Sequence, residues 1–194
     1  MSNPYQPPMV DTRSPVAAAD LGSLQPLRGA ILTLRIIVFS LALGVIGFGV
    51  YTVVHNAGKP HTFAENLDSM SVAMLVFGVV DGLLGIVLPS MLFRFVKPNA
   101  EMSAQWAVHE PEVARVLGVQ GRIQTATIVG CALFEGAAFA NLYAYMVRPE
   151  LLNLLMAGLM LLGILARFPL PSACERRIED ELRREKEEAG LRPG

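Results

Sequence analysis

The fold is decided by one stretch, IQTATIVGCALFEGAAFANLYAYMVRPELLNLLMAGLMLLGILA, residues 123–166. It holds two long apolar runs that are separated by little more than Arg148-Pro149-Glu150. At about 1.5 Å per helical residue, a helix of this length can cross a hydrocarbon core of about 30 Å, although the second run only just reaches. So short a connection allows only an antiparallel helical hairpin, with Pro149 opening the second helix. The stretch therefore predicts two neighbouring membrane-spanning helices.

Two apolar blocks earlier in the chain raise the number of predicted membrane-spanning helices to four. The blocks are continuous and do not alternate every second residue, which favours helices over the strands of a membrane barrel. The composition agrees, because 53% of the 194 residues are hydrophobic and only 17% are charged. The sequence thus predicts an all-α polytopic membrane protein, a four-transmembrane-helix bundle within residues 29–170. Its helices are expected at about 30–54, 70–93, 123–147 and 151–168.

The segments outside the bundle differ in character. Residues 1–28 are rich in proline and small polar residues, which predicts a disordered tail. Residues 95–121 form a middle loop in which we expect one or two short helices at the membrane surface. Residues 171–194 are charged, and Ser172 followed by Glu175 is typical of a capping box that starts a helix. That cytoplasmic helix is either solvated or a docking or dimerisation helix.

Charge in the flanking segments predicts the orientation. With four spans, the N-terminal tail, the middle loop and the C-terminal segment share one side, and they carry all the flanking Lys and Arg except Lys59 and Arg148. Because cytoplasmic loops are enriched in these residues, both termini are expected in the cytoplasm.

Several classes of function have no support in the sequence. The net charge of −1 indicates no nucleic-acid partner. We find no nucleophile–base motif, phosphate loop or zinc-protease motif, so we predict no enzymatic activity and no cofactor. An enzyme acting on lipid would have only His109 and Glu112 as modest candidates. His55 and His61 bracket a loop and are interpreted as surface histidines, with no metal site.

Two carboxylates lie inside the apolar blocks. Glu135 falls at the midpoint of the third block and Asp81 at the midpoint of the second. An acidic residue at the bilayer centre costs roughly 2.5–3.5 kcal/mol on insertion scales, so it normally faces the protein, hydrogen-bonds or stays neutral. Arg35 is a candidate cationic partner, although it can also extend to the interface. Asn141 is a further polar group that needs a partner on another helix.

Small residues accompany both carboxylates. At such spacings they let helix backbones approach closely, and the helix-packing candidates are Gly78, Gly82 and Gly85 in the second block and Ala132, Gly136, Ala140 and Ala144 in the third. If the second and third helices pack through these stripes, Asp81 and Glu135 come within hydrogen-bonding reach and can share one proton.

Two functions fit this constellation. In the first, the polar groups fix helix packing or oligomeric state in a structural or protein-interaction component of the membrane. In the second, Asp81 and Glu135 form a proton- or cation-binding site in a transport component. The first is our main expectation, with the lipid bilayer, and either a homo-oligomer or another membrane protein, as partners.

Two resemblances add to this picture. The run RIQTATIVGCALFEGAAF at 122–139, with the tight hairpin and the Phe168-Pro169 boundary, resembles an uncharacterised family of small four-helix bacterial inner-membrane proteins. That resemblance implies a location, the bacterial inner membrane, and no activity. In addition, Gly121-Arg122-Ile123 followed by Glu135 is similar to the proton-binding helix of the rotary ATP synthase c subunit. This second likeness is confined to one helix and implies that Glu135 binds a proton.

Overall fold

The protein was analysed as a computed structural model that describes residues 25–63, 68–95 and 111–190. Their backbone forms five helices, and the prediction of an all-helical chain is confirmed for these residues, in which an isolated bridge between Thr62 and Glu150 is the only β-type pairing. Most of the N-terminal tail and residues 96–110 of the middle loop lie outside the described part. The helices are α1 (Gln25–His55), α2 (Ser69–Phe95), α3 (Pro111–Val147), α4 (Leu151–Ala166) and α5 (Pro171–Gly190).

Helix α3 is the centre of the bundle, since it packs against each of the other four helices. From α3, the buried side chains of Phe134 and Leu142 enter one core cluster together with Leu34 of α1 and Ile164 of α4. The other helices therefore pack around α3. The surroundings of each polar side chain in the bundle depend on which face of α3 it lies on or contacts.

Helix α2 approaches its neighbours through glycines. A Cβ added to Gly78 would lie 2.7 Å from Asn141 Nδ2, and one added to Gly85 would lie 3.1 Å from the Phe134 ring. A Cβ on Gly82 would lie 3.0 Å from the Met160 side chain of α4. The absence of side chains at these positions makes room for bulky residues of α3 and α4.

Three of the helices contain segments long and apolar enough to cross a membrane, namely Arg28–His55, Ser69–Leu92 and Val116–Val147. Helix α4 is also apolar, but its 16 residues span only about 24 Å at the usual helical rise. Large apolar side chains cover the outside of the bundle, as Ile36, Ile86 and Leu162 show, each being more than half exposed. Such an exterior suits a lipid environment better than water.

Helix α3 begins earlier than the apolar pattern predicted. It starts at Pro111, so residues 111–121, which were expected in the middle loop, form the first turns of one 37-residue helix. Proline is well suited to the first helical position. Val119 of the extension and Ile123, which follows it, pack against Cys174 and Ile178 of α5. Helix α5 therefore lies against the bundle, and the buried Ile178 is its main anchor.

The opposite end of the bundle, called here the hairpin end, holds the α1–α2 loop and the α3–α4 turn. The two connections are joined by backbone hydrogen bonds, from Thr62 N to Pro149 O at 3.2 Å and from Leu151 N to Thr62 O at 3.0 Å. Asn56 Nδ2 donates to Tyr145 O at 2.6 Å, and the His61 ring stacks on the Tyr145 ring. The loop is thereby fixed to the hairpin. We call the other end, where α5 lies, the α5 end.

Candidate functional site

Glu135 lies on the side of α3 that meets α1. Its Oε1 is 3.7 Å from the position that a Cβ on Gly44 would occupy, and the Phe139 ring lies at the same distance. The side chain is half-buried. Within the described part of the chain, the carboxyl group makes no hydrogen bond or ion pair. Glu135 is thus a carboxylic acid in the middle of an apolar helix without a bonding partner in these residues.

Asp81 lies on α2 and is also half-buried. It neighbours Gly78 and Gly82, the glycines that face α3 and α4, and it too lacks a hydrogen bond or ion pair among the described residues. The two acids are not bonded to each other. Helix α1 meets the Glu135 side of α3, whereas α2 meets the side that carries Phe134 and Asn141. The close pair that the sequence allowed is therefore not formed within the chain.

The reason is that the two small-residue stripes do not face each other. On α2, Gly78 lies against Asn141 of α3 and Gly85 lies against Phe134 of α3. On α3, Ala132 and Gly136 lie on the exposed surface, and a Cβ on Gly136 would meet no atom within 4 Å. Further along, Ala140 is half-buried and Ala144 is buried. The first half of the α3 stripe is therefore available to a partner outside this chain.

Asn141 links two helices. Its Nδ2 donates to Met74 O of α2 at 3.0 Å and to Ala137 O of α3 at 2.9 Å. Its Oδ1 is buried and accepts no hydrogen bond in the described part. Asn141 therefore acts as an interhelical hydrogen-bond donor beside Gly78, on a different face of α3 from Glu135.

Arg35 does not contact either acid. Its Nε donates to Pro169 O at 2.9 Å, at the junction between α4 and α5. Arg35, which the sequence suggested as a counter-ion for the acids, therefore links α1 to the segment that follows α4.

A second arginine, Arg167, was interpreted from the sequence only as a flanking charge. Its Nη2 donates to Gly85 O, and its guanidinium carbon lies 5.4 Å from the centre of the Phe134 ring. The residue four positions after Gly85 is Pro89, which has no N–H to give to that carbonyl. Arg167 supplies the missing donor. The spacing of Gly85 and Pro89 was the signal in the sequence, because a proline inside an apolar helix leaves a carbonyl that needs a partner.

The space for this guanidinium comes from another glycine. A Cβ on Gly130 would lie 2.7 Å from the Arg167 guanidinium carbon and 3.0 Å from the Pro89 ring. The missing side chain at Gly130 therefore leaves room for the Arg167 guanidinium where α2, α3 and the end of α4 meet.

Polar groups are also buried at the hairpin end. Glu150, which precedes α4, is only 1% exposed, and its Oε1 lies 3.3 Å from Arg148 Nε. Both carboxylate oxygens lack a hydrogen bond with good geometry in the described part, as do the side-chain atoms of the buried Asn153. The sequence indicated only a short turn here.

The remaining candidates from the sequence are the histidines and Glu112. The His55 ring stacks on the Tyr51 ring, with centres 6.1 Å apart. No cluster of three or more potential metal ligands occurs among the described residues. His109 and the side chain of Glu112 lie outside the described part.

No family model, curated protein or solved structure matches the chain. The two family resemblances therefore remain predictions. The feature of the structure that bears most directly on function is Glu135, which lies beside exposed small residues and has no bonding partner in the described chain.

Proposed function

We propose that the protein is a multi-pass membrane protein whose role is structural, holding copies of itself together through an intramembrane contact centred on Glu135. The observation that carries this proposal is the carboxyl group of Glu135, which has no partner in the described chain and borders a surface of small residues. The protein belongs, in this proposal, to a bacterial inner membrane.

The membrane placement is supported by helix length and by charge. Three helices are long and apolar enough to span a bilayer, and α4 runs beside them in the same bundle. The basic residues are concentrated at the α5 end and in the segments next to it. Under the positive-inside rule, this distribution favours four spans with both termini in the cytoplasm.

The contact surface, which we call the Glu135 face, consists of Gly44, Gly47, Ala132, Glu135 and Gly136 on α1 and α3. A Cβ on Gly47 or Gly136 would meet no atom within 4 Å, so the backbone is open at both positions. In lipid, such small residues are where a second helix pair can approach most closely. The polar atoms of Glu135 then become reachable from outside the chain.

A second copy is the partner that best suits this face. A half-buried acid in the hydrocarbon region costs roughly 2.5–3.5 kcal/mol on insertion scales unless it is paired. A two-fold axis near Glu135 would place the same residue of both copies side by side. Two neutral carboxylic acids can then each donate one O–H and accept one, which satisfies both groups without introducing a charge.

Transport coupled to a proton or cation is the competing function. A shared site would need Asp81 and Glu135 to approach one another, yet Glu135 lies on the side of α3 that meets α1, whereas Asp81 belongs to α2, which meets another side of α3. The geometry therefore favours assembly over transport, although a proton bound by Glu135 alone is compatible with either.

The test is self-association in lipid vesicles, measured by energy transfer between labelled copies of wild type, Glu135→Gln and Glu135→Leu. Glutamine keeps a donor and an acceptor, so it should associate nearly as well as wild type. Leucine removes both hydrogen bonds of the pair, so it should raise the dissociation constant at least about eightfold, as expected for two interhelical hydrogen bonds of about 0.6–2 kcal/mol each. Asp81→Leu, on α2 and outside the Glu135 face, is the matched control and should associate like wild type.

A protein that stays monomeric in vesicles would contradict the proposal, as would equal association of wild type, Glu135→Gln and Glu135→Leu. Proton flux through reconstituted wild type that disappears in Glu135→Gln would instead favour the transport function.

A further inference from the structure

A cavity of about 600 Å³ lies at the α5 end, between α5 and the ends of the other helices. Its apolar wall includes Leu34 of α1 and Ile123 of α3. Its polar wall includes Arg167 after α4 and both Arg177 and Arg184 on α5. The cavity thus combines an apolar interior with guanidinium groups at the level where the bundle meets its charged helix.

The charge of the lining is positive on balance. Asp180 and Glu181 also line the cavity, so three arginines face two carboxylates. Arg184 is paired with Glu181 at 3.4 Å, and Arg167 is hydrogen-bonded to Gly85 O. Arg177 makes no hydrogen bond or ion pair with the described residues. Its guanidinium is the group in the lining that is available to an anion.

The cavity is continuous with two apolar stripes on the outside of the bundle. On α4, Leu159 and Leu162 are more than half exposed, and the next residue on that face, Ala166, lines the cavity. On α2, Leu83 and Val87 are at least half exposed, and Ser90 continues their face into the cavity. Residues three and four apart lie on one helix face, so each stripe leads from the lipid-facing exterior to the cavity.

We propose that this cavity binds the phosphate headgroup of an anionic phospholipid, with Arg177 as its main ligand and with the acyl chains along the α2 and α4 stripes. An arginine guanidinium matches the geometry of phosphate oxygens, and the stripes match the acyl chains of the same molecule. The short α4 ends where headgroups lie if the bundle spans the bilayer, so the inference rests on the membrane placement proposed above but not on self-association.

The experiment measures binding of phosphatidylglycerol and of phosphatidylcholine with identical acyl chains to the detergent-solubilised protein by native mass spectrometry. Wild type should prefer phosphatidylglycerol. Arg177→Gln should weaken phosphatidylglycerol binding roughly tenfold, as expected for the loss of one charge-assisted hydrogen bond. Arg176→Gln is the matched control, because Arg176 is exposed on the same helix but does not line the cavity.

A second variant separates the cavity from surface charge. Ala173 is exposed and lines the cavity, so Ala173→Trp should fill the space and reduce binding of both lipids while keeping every charge. Equal losses in Arg176→Gln and Arg177→Gln would overturn the proposal, as would equal binding of the two lipids by wild type. Displacement of phosphatidylglycerol by inorganic phosphate at the same concentration would assign the cavity to free phosphate and contradict the lipid assignment.

The self-association proposal and the lipid-binding proposal can be disproved independently of each other. Glu135→Leu should lose self-association but retain phosphatidylglycerol binding, whereas Arg177→Gln should lose the lipid preference but still associate.

Discussion

Gly78 faces two side chains at once, Asn141 of α3 and Met156 of α4. A Cβ at this position would lie 2.7 Å from Asn141 Nδ2 and 2.8 Å from Met156 Cγ, closer than real Cβ contacts. Gly78→Ala should therefore push α2 away from its neighbours and destabilise the bundle by about 1–3 kcal/mol, the usual cost of overpacking. Unfolding in mixed micelles, followed by circular dichroism, would measure this loss.

Gly158 of α4 provides the control, because a Cβ there would meet no atom within 4 Å. Gly158→Ala should leave the stability equal to wild type or slightly higher, since alanine is the better helix former. If both alanine variants unfold alike, Gly78 is not a packing position.

Arg167 and Pro89 should show energetic coupling. Arg167→Met keeps much of the apolar stem but leaves Gly85 O without its donor, which should cost about 1–3 kcal/mol for an unpaired buried group. Pro89→Ala restores a backbone N–H four residues after Gly85. In that background the same Arg167 substitution should cost clearly less. A double-mutant cycle on the unfolding free energy measures the difference, and an identical cost in both backgrounds would disprove the coupling.

The sequence identified four polar residues of the bundle but not their partners. Glu135, Asp81, Arg35 and Asn141 stand out because polar groups are rare in apolar blocks. Their contacts depend on how each helix is rotated about its axis, and Arg35 illustrates this, since its partner is the carbonyl of Pro169, 134 positions away. Rotation is set by packing among several helices, which no local pattern encodes.

The start of α2 depends on a cap whose strength should vary with pH. Ser71 N donates to Asp68 Oδ1 at 2.7 Å, and Arg148 lies 3.9 Å from the other carboxylate oxygen. The hydrogen bond from the Ser71 backbone, followed by that from its side chain, holds the pKa of Asp68 below its ordinary value of 3.8. The stabilisation is thus complete above that value and is lost as pH falls through the lower, folded-state pKa.

Asp68→Ala should accordingly melt below wild type at neutral pH, and the gap should close as the pH falls below about 4. Asp68→Asn keeps an acceptor oxygen without a charge, so it should lie between the two at neutral pH. Thermal melts in detergent at several pH values test this, and a gap that stays constant down to low pH would show that Asp68 is not an ionised cap.

Helix positions were predictable where apolar length alone defines them. The predicted 30–54, 70–93 and 151–168 lie within a few residues of α1, α2 and α4. The start of α3 was missed because the extension carries a mixed pattern with Gly118 and Gly121. Its apolar side chains are buried by Cys174 and Ile178 of α5, more than fifty positions later in the chain.

The arrangement of the bundle explains why the two acids are apart. Only the α3–α4 turn was short enough to fix a pair of neighbours from the sequence. The structure makes α3 the common partner of α1 and α2, which meet it on different faces, and Glu135 lies on the side that meets α1, whereas Asp81 belongs to α2. The central position of each acid in its apolar block was readable from the sequence, but adjacency was not.

Whether α4 crosses the membrane decides the topology. Its 16 residues reach only about 24 Å, but it returns from the hairpin alongside α3. If all four helices cross, Ala57 in the α1–α2 loop and Arg176 on α5 lie on opposite sides. In a background with Cys131 and Cys174 replaced by alanine, Ala57→Cys should react with a membrane-impermeant maleimide in intact cells, and Arg176→Cys only after lysis. Labelling of both in intact cells would mean that α4 does not cross, whereas the reverse pattern would place the termini outside and contradict the charge argument.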